Sequence, residues 1–364
     1  MTCSKVYYTD FHHGVEDNFI EKFERFLRKA GIEELDYDRK FTAIKIHFGE
    51  YGNMVYLRPG YARTVASIVK EHGGMPFAVD CNTLYAGRRK NALEHLDTAA
   101  INGFNSLSLG CNVIIGDGLK GDDDVEIPID GEFVKNAKIG RAIADADIII
   151  TINHFKCHEM AGIGGALKNL AMGCASRRGK MEQHANGKVQ VEQDKCIGCK
   201  KCTKMCAAEA ISVEDKKASV DESKCMGCGL CIASCHYDAI DAVYGSLDEM
   251  CKKMAEYAKA SILGKPSFHI NIIADVSSSC DCRPNCQQPI VPNVGILASF
   301  DPVALDVASS DFVNEQIVIP GSKADKEGPD DIFTRTNPGT NWKVATEHAE
   351  KIGMGVSKYE LIKI

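Results

Sequence analysis

Apolar and polar positions alternate between two periods along the first part of the chain. Short apolar or alternating runs predict strands at Lys5–Thr9, Thr42–Phe48, Pro76–Asp80, Val113–Gly116 and Asp147–Ile152. Apolar residues spaced three and four apart predict helices at Asp17–Ala30, Arg58–Glu71 (with Pro59 in its first turn), Arg88–Asn102 and, briefly, Ile139–Ala144. The alternation resumes late in the chain, with helices expected at Leu247–Leu263, Asp301–Asn314 and Trp342–Lys351 around strands Phe268–Val276 and Val294–Ser299. Strands that take turns with helices favour an α/β fold with a mostly parallel sheet covered on both faces.

The stretch from Lys188 to Gly245 breaks this rhythm with eight cysteines, short strands and few helix signals. It reads as a small α+β domain, 188–245, inserted into a discontinuous α/β domain formed by 1–187 and 246–364. Two separate flanking α/β domains are the alternative. An internal repeat marks the insert. The run Cys196, Cys199, Cys202, Cys206 recurs 29 residues later as Cys225, Cys228, Cys231, Cys235, with Lys195 and Lys224 before them and Ala210-Ile211 and Ala239-Ile240 after them.

Length and composition fit two folded domains: 364 residues, 45% of them hydrophobic, bury a sizeable core. The longest apolar runs, Ala146–Ile152 and Ile270–Val276, fall well short of the roughly 18 residues a membrane span needs. Met1–Phe11 lacks the apolar stretch of a signal peptide. The expected setting is therefore the cytoplasm, with no membrane span. A net charge of −7, with only short basic clusters at Arg88–Lys90, Arg177–Lys180 and Lys200–Lys204, argues against nucleic acid as a partner. The 17 cysteines change the picture most, because a reduced cytoplasm disfavours disulfides and makes metal binding the first reading of closely spaced thiols.

A loop of spacing C-x2-C-x2-C can wrap three thiolates around one cubane and leaves the fourth to come from elsewhere. The duplicated run resembles the two-[4Fe-4S] bacterial ferredoxin module, in which the fourth cysteine of each run crosses to the other cluster. The resemblance implies Cys196, Cys199, Cys202 and Cys235 on one cluster, and Cys225, Cys228, Cys231 and Cys206 on the other. It also implies two clusters close enough to pass electrons between them. Zinc is the competing metal, but a tetrahedral site would leave one cysteine of each run unused. Clusters kept only to hold the fold are a second alternative. The proline that usually follows the fourth cysteine is replaced by Ala207 in one run and His236 in the other.

Outside the insert, Asp80-Cys-Asn-Thr-Leu-Tyr85, His154-Phe-Lys-Cys-His158, the glycine-rich run Gly162–Gly173, Cys280-Asp-Cys282 and Gly295–Asp306 resemble the domain-of-unknown-function family 362, often fused to ferredoxin repeats. That resemblance implies a fold and no reaction. The residues themselves point to the edge where β-strands of an open α/β sheet end, the usual place for ligands. His154, Lys156 and His158 follow one strand. Gly164 and Gly165 lie in a glycine-rich turn that opens a helix carrying Lys168 and Asn169, whose free amides would attract an anion. His184 follows a basic loop, and His47 and Asn82 end two neighbouring strands. The G-x-G-G run lacks the spacing of a dinucleotide fingerprint, and no Walker sequence is present. Cys280, Cys282 and Cys286 form a candidate third iron–sulfur or metal centre, with Cys157 or Cys174 as a fourth ligand. Asp301 before Pro302 reads as a helix cap, and Asp306 as facing either the site or solvent.

The resulting expectation is an iron–sulfur oxidoreductase of anaerobic type that relays electrons through two [4Fe-4S] clusters to a small anionic substrate. In it Lys156, Lys168, Asn169 and the glycine amides bind the anion, and His154, His158 or His184 supplies a proton. The expected partners are a ferredoxin or reductase and the anion, with a homodimer as an option. The alternatives are a non-catalytic electron carrier or assembly partner, and a non-redox lyase or isomerase that uses the third centre as a Lewis acid.

Overall fold

The computed structural model describes residues 3–15, 18–84, 87–243, 245–285 and 288–364. Strands β1 (Ser4–Thr9), β2 (Phe41–Ile46), β3 (Met75–Asp80) and β4 (Asn112–Ile115) alternate with helices α1 (Phe19–Lys29), α2 (Pro59–Glu71), α3 (Ala92–Ile101) and α4 (Ser106–Leu109). A hairpin of β5 (Asp124–Pro128) and β6 (Asn136–Gly140) leads through α5 (Arg141–Ala144) to β7 (Ile148–His154). A smaller hairpin, β8 (Lys156–His158) with β9 (Gly162–Gly164), precedes α6 (Ala166–Ala171) and α7 (Arg177–Ala185). The cysteine-rich segment supplies β10 (Val189–Val191), α8 (Lys201–Met205), β11 (Ile211–Glu214), β12 (Lys217–Val220), α9 (Leu230–Ser234) and β13 (Ile240–Ala242). The chain ends with α10 (Leu247–Ser261), β14 (Ser267–Ile273), β15 (Gly295–Ser299), α11 (Pro302–Asn314), α12 (Ile332–Thr336), α13 (Lys343–Lys351) and β16 (Tyr359–Lys363).

An 8-stranded sheet in the order β16-β1-β15-β14-β7-β2-β3-β4 organises these elements. Among the described residues β15 runs antiparallel to β1 and β14, and the other pairings are parallel, so the sheet is mostly parallel as expected. Side chains alternate across the pleat. Ile44 and Ile46 of β2, with Ile148, Ile150 and Ile152 of β7, join a core with Phe23, Phe26, Val65 and Ile68 of α1 and α2. Their neighbours on the opposite face include Ala43 and Ile149, packed with α6 and α10. Lys45 is in register with Thr151, and Asn153 with Asn271, and all four are buried, so a polar stripe crosses a face that is otherwise apolar.

Several boundaries differ from the sequence reading, each for a local reason. The expected helix from Arg88 begins only at Ala92, because Asn91 accepts from the Glu94 amide as a cap and Arg88 and Arg89 are drawn to Glu50 instead. Ile139 belongs to β6 and only Arg141–Ala144 is helical. The basic stretch before His184 is a helix, α7, capped by the Ser176 hydroxyl. Asp17, the expected start of the first helix, lies outside the described residues, and Asn18 supplies that helix's capping box.

The cysteine-rich segment repeats itself in backbone geometry as well as in sequence. Strand β10 pairs with β13 through Val189↔Ala242, and β12 pairs with β11 through the equivalent Ala218↔Val213. Glu192 donates its amide to the Ala239 carbonyl, and its counterpart Asp221 donates to Ala210, so the halves embrace with pseudo-twofold symmetry. Gly198 and Gly227 both have positive φ, 68° and 66°, and both rest on backbone. A Cβ on Gly198 would lie 2.5 Å from the Lys216 Cα, and one on Gly227 2.5 Å from the Gly187 Cα.

Gly227→Ala thus adds a left-handed strain of about 1–2 kcal/mol to a clash with rigid backbone. Limited proteolysis of this variant is expected to cut inside 188–245 first, with the remaining α/β fragments resisting as they do in the unsubstituted chain.

Candidate functional site

A cavity of about 90 Å³ lies where β2, β3 and β7 end, flanked by α6, α7 and the loop that holds Cys280, Asp281 and Cys282. Its walls carry buried charges that are mostly paired. Lys45 meets Asp80 at 3.0 Å, and Arg89 reaches Glu50 at 3.1 Å and Asp80 at 3.4 Å. Lys156 meets Asp281 at 3.1 Å. Burial pushes the Asp281 carboxyl up, but the His154 and Lys156 charges beside it outweigh that and hold it well below the usual carboxylate range.

His154 places Nδ1 3.0 Å from Asp281 and Nε2 2.9 Å from the Ala274 carbonyl. Both ring nitrogens are thus engaged, and the imidazole is locked in place. His47 and His184 also line the cavity, and burial, aided by the Arg89 charge for the first and the Lys168 charge for the second, holds both down to about 3. They are neutral imidazoles at neutral pH. Lys180, from α7, lines the same cavity and donates to the Ala175 carbonyl.

Lys168 extends its ammonium to 3.7 Å from the Cys280 sulfur. The Cys282 thiol beside it, then Lys168 and His158, hold the Cys280 thiol well below its ordinary value against the effect of burial, and the same pairing pushes Cys282 up. His158 accepts at Nδ1 from the Met160 and Ala161 amides. It lines a neighbouring groove, with Cys282 and with Ile232 and Ile240 of the cysteine-rich segment, instead of the cavity.

Beneath the cavity the polar stripe forms one connected chain. Lys45 donates to Asn169 at 2.6 Å, Asn169 to Asn153 at 2.7 Å, Asn153 to Asn271 at 2.9 Å, and Asn271 to Asp306 at 2.9 Å. Asp306 then accepts from the Ala166 and Leu167 amides at 2.7 and 2.9 Å. This corrects the expected anion site at the start of α6, because an internal carboxylate already takes those amides. Gly165 is required there, since a Cβ would come within 2.3 Å of the Asp306 carboxylate. Gly164 lines the cavity, and a Cβ there would touch the Lys156 and Lys168 side chains at 3.6–3.8 Å.

Other expected residues do other work. Asn82 is buried, donates to Asp117 and the Gly118 carbonyl, and does not line the cavity. Asp301 caps α11 through the Val303 and Ala304 amides. Cys157 is buried in an apolar core, Cys174 bonds to the Asn169 carbonyl, and neither lines the cavity with Cys280 and Cys282. Cys286 and Tyr85 lie outside the described residues. Among the described residues, no group of three or more His, Cys, Asp or Glu is placed to hold a single metal ion.

The eight repeat cysteines sort into two sets. Cys196, Cys199, Cys202 and Cys235 line one small cavity of about 20 Å³, and Cys206, Cys225, Cys228 and Cys231 line another of about 20 Å³. Each set takes three thiols from one run and one from the other. Backbone amides face the sulfurs in matching positions: Ala210 donates to Cys206 at 3.2 Å, and Ala239 to Cys235 at 3.3 Å. His236 is exposed.

Helix α7 joins this segment to the large cavity. Lys180 and His184 line the cavity, while Met181 and Ala185 pack into the segment's core with Val189, Cys202 and Cys231. Leu84 belongs to both. Sequence reasoning missed Lys45, Asp80, Arg89, Lys180 and Asp281. The signal available for the first two was a charged residue inside an otherwise apolar strand.

A family model described as Domain of unknown function (DUF362) matches residues 42–311. Among solved structures, the lactate racemase apoprotein from Thermoanaerobacterium thermosaccharolyticum is similar at 12% identity and a TM-score of 0.44, over 86% of this chain and 57% of that one. A protein from Thermotoga maritima is similar at 13% identity and a TM-score of 0.42, over 91% of this chain and 59% of that one. The chain thus spans less than two thirds of either. No curated protein sequence matches it.

His184 and His269, both buried and held down to about 3, make stability depend on pH. Their folded values lie below the ordinary 6.5, so the stability they confer is complete above that value and is lost as pH falls from it towards 3. Each contributes a slope of up to about 1.4 kcal/mol per pH unit in that window. Urea midpoints measured from about pH 7 to about pH 5 should fall, and fall less steeply for His184→Gln. An unchanged slope in that variant would contradict a neutral buried His184.

Proposed function

We propose, for this chain, which belongs to the DUF362 family, that it is an iron–sulfur oxidoreductase whose segment 188–245 is a two-[4Fe-4S] ferredoxin-like module serving a small anionic substrate in the α/β cavity. The observation that carries this reading is the sorting of eight cysteines into two crossed sets of four, each around its own cavity. Cys196, Cys199, Cys202 and Cys235 would hold one cluster, and Cys206, Cys225, Cys228 and Cys231 the other. When bound, such clusters supply single electrons.

The donor sets fit the group. Burial pushes the Cys231 thiol up to about 12 and raises Cys202, so an electrophilic metal is needed to displace those protons. Amides aimed at Cys206, Cys235 and Cys196 favour charge on sulfur. A single zinc ion would draw its thiolates to about 3.8 Å of one another. A cubane spreads its four thiolates over a larger body and uses all four cysteines of each set.

In the large cavity, Lys168 and Lys180 have no carboxylate within ion-pair distance among the described residues, unlike Lys45, Lys156 and Arg89. They are the anchors for an anion. After burial, the Lys168 charge keeps His184 neutral, so a bound anion would offset that field and let His184 take up a proton. Proton supply is thereby coupled to substrate binding. His154, with both nitrogens engaged, orients Asp281 and is not a proton donor. A cavity lined by Lys168, Lys180 and His184 favours an enzyme over an electron carrier that merely docks.

Anaerobic purification with iron and sulfide analysis is expected to give about eight irons per chain and the paramagnetic signature of cubanes on reduction. A colourless protein carrying zinc in those thiols would sink the reading. In a screen of small anions followed by thermal shift, an anion that stabilises the chain should lose its effect in Lys168→Ala or Lys180→Ala while the visible absorbance stays intact.

A further inference from the structure

The two halves of segment 188–245 share a backbone and differ in charge. Lys200, Lys201 and Lys204 of the first half occupy the places of Gly229, Leu230 and Ala233 in the second. The second set faces the α/β domain: Gly229 is buried, and a Cβ there would lie 3.0 Å from Met181 and 3.1 Å from Arg177. The first set is exposed, together with Ile197 and the cluster cysteine Cys199. Among the described residues none of the three lysines is paired with a carboxylate, although Lys195 and Lys224 just outside the runs pair with Glu192 and Asp221.

Lys200 is the more telling because its conformation opposes its side chain. It stands at φ 60°, where its twin Gly229 stands at 69°. Residues with a Cβ rarely adopt that region, and glycine suits it. The second half keeps the glycine. The first keeps a lysine at a position the backbone disfavours, on a chain whose net charge is −7.

We propose that the face formed by Lys200, Lys201, Lys204 and Ile197 is the docking surface for an acidic one-electron carrier protein, which delivers its electron at the Cys196, Cys199, Cys202 and Cys235 cavity. This rests on the two-cluster reading and adds a direction to it: entry through the solvent-facing half, exit through the half packed on α7. In the transfer the carrier loses one electron and the first cluster gains it, with no bond made or broken. A local positive patch on an acidic protein attracts an acidic partner at that face and repels it elsewhere, so it sets orientation as well as rate.

The test uses the full chain and a purified, strongly acidic [2Fe-2S] ferredoxin as probe. Binding between the oxidised proteins is measured by calorimetry, and electron transfer by stopped flow from the reduced probe. Lys200→Gln, Lys201→Gln and Lys204→Gln together are expected to weaken binding and slow transfer about tenfold at low salt and to flatten the salt dependence. A control lacking Lys29, Lys326 and Lys363 of the α/β domain, with the same net charge, is expected to match the unsubstituted chain. K200G/K201L/K204A, which installs the residues this backbone already accommodates in its other half, guards against misfolding and should behave as the glutamine variant does. Equal effects in the patch and control variants, or no effect in either patch variant while iron content is normal, would overturn the docking surface alone. An unsubstituted chain without clusters would overturn the two-cluster reading, and this proposal with it.

Discussion

A charge taken out of water must find a partner, and this constraint shapes the centre of the molecule. Lys45 sits fully buried in a strand and is answered by Asp80 on the next strand and by Asn169 from α6. From Asn169 the hydrogen bonds run through Asn153 and Asn271 to Asp306, which holds the first amides of α6. Four strands, α6 and α11 are thereby fixed relative to one another by directional contacts. An apolar interface would tolerate sliding, and a connected polar one does not. The cavity stands on this floor, so its lysines and imidazoles inherit defined positions.

The second organising element is α7. Its polar face looks into the cavity and its apolar face completes the core of the cysteine-rich segment. Arg177 at its start is buried, donates to the carbonyls of Thr83, Lys90 and Lys120, and packs against Gly229. Lys90 in turn reaches the Cys235 carbonyl and pairs with Asp238. Helix and loop together bring the inner half of the segment against the wall of the cavity. On the proposed reading, the same contacts that seat the segment also shorten the distance an electron must cross.

Much of this was legible in the chain before its fold was known. The strands and most helices follow from hydrophobic spacing, and the eight thiols follow from a repeat whose backbone symmetry extends to individual hydrogen bonds. Lys168, Lys156 and His154 could be placed because they crowd around one strand, turn and helix. Lys45, Asp80, Arg89 and Asp281 could not, since each is an ordinary charged residue until distant strands bring it to a partner. The amides of α6 look free to an anion only while Asp306, 140 residues away, is out of sight. Helix α7 reads as a loop because Arg177, Lys180, Gln183 and His184 are all buried, which defeats any rule that equates polar with exposed.

Leu84 belongs at once to the wall of the cavity and to the packing around Cys202 and Cys231. On the proposed reading, air that strips iron from those thiols would slacken a wall several residues away. Oxygen would then deform the pocket as well as cut its current, and restoring the metal would have to restore a shape.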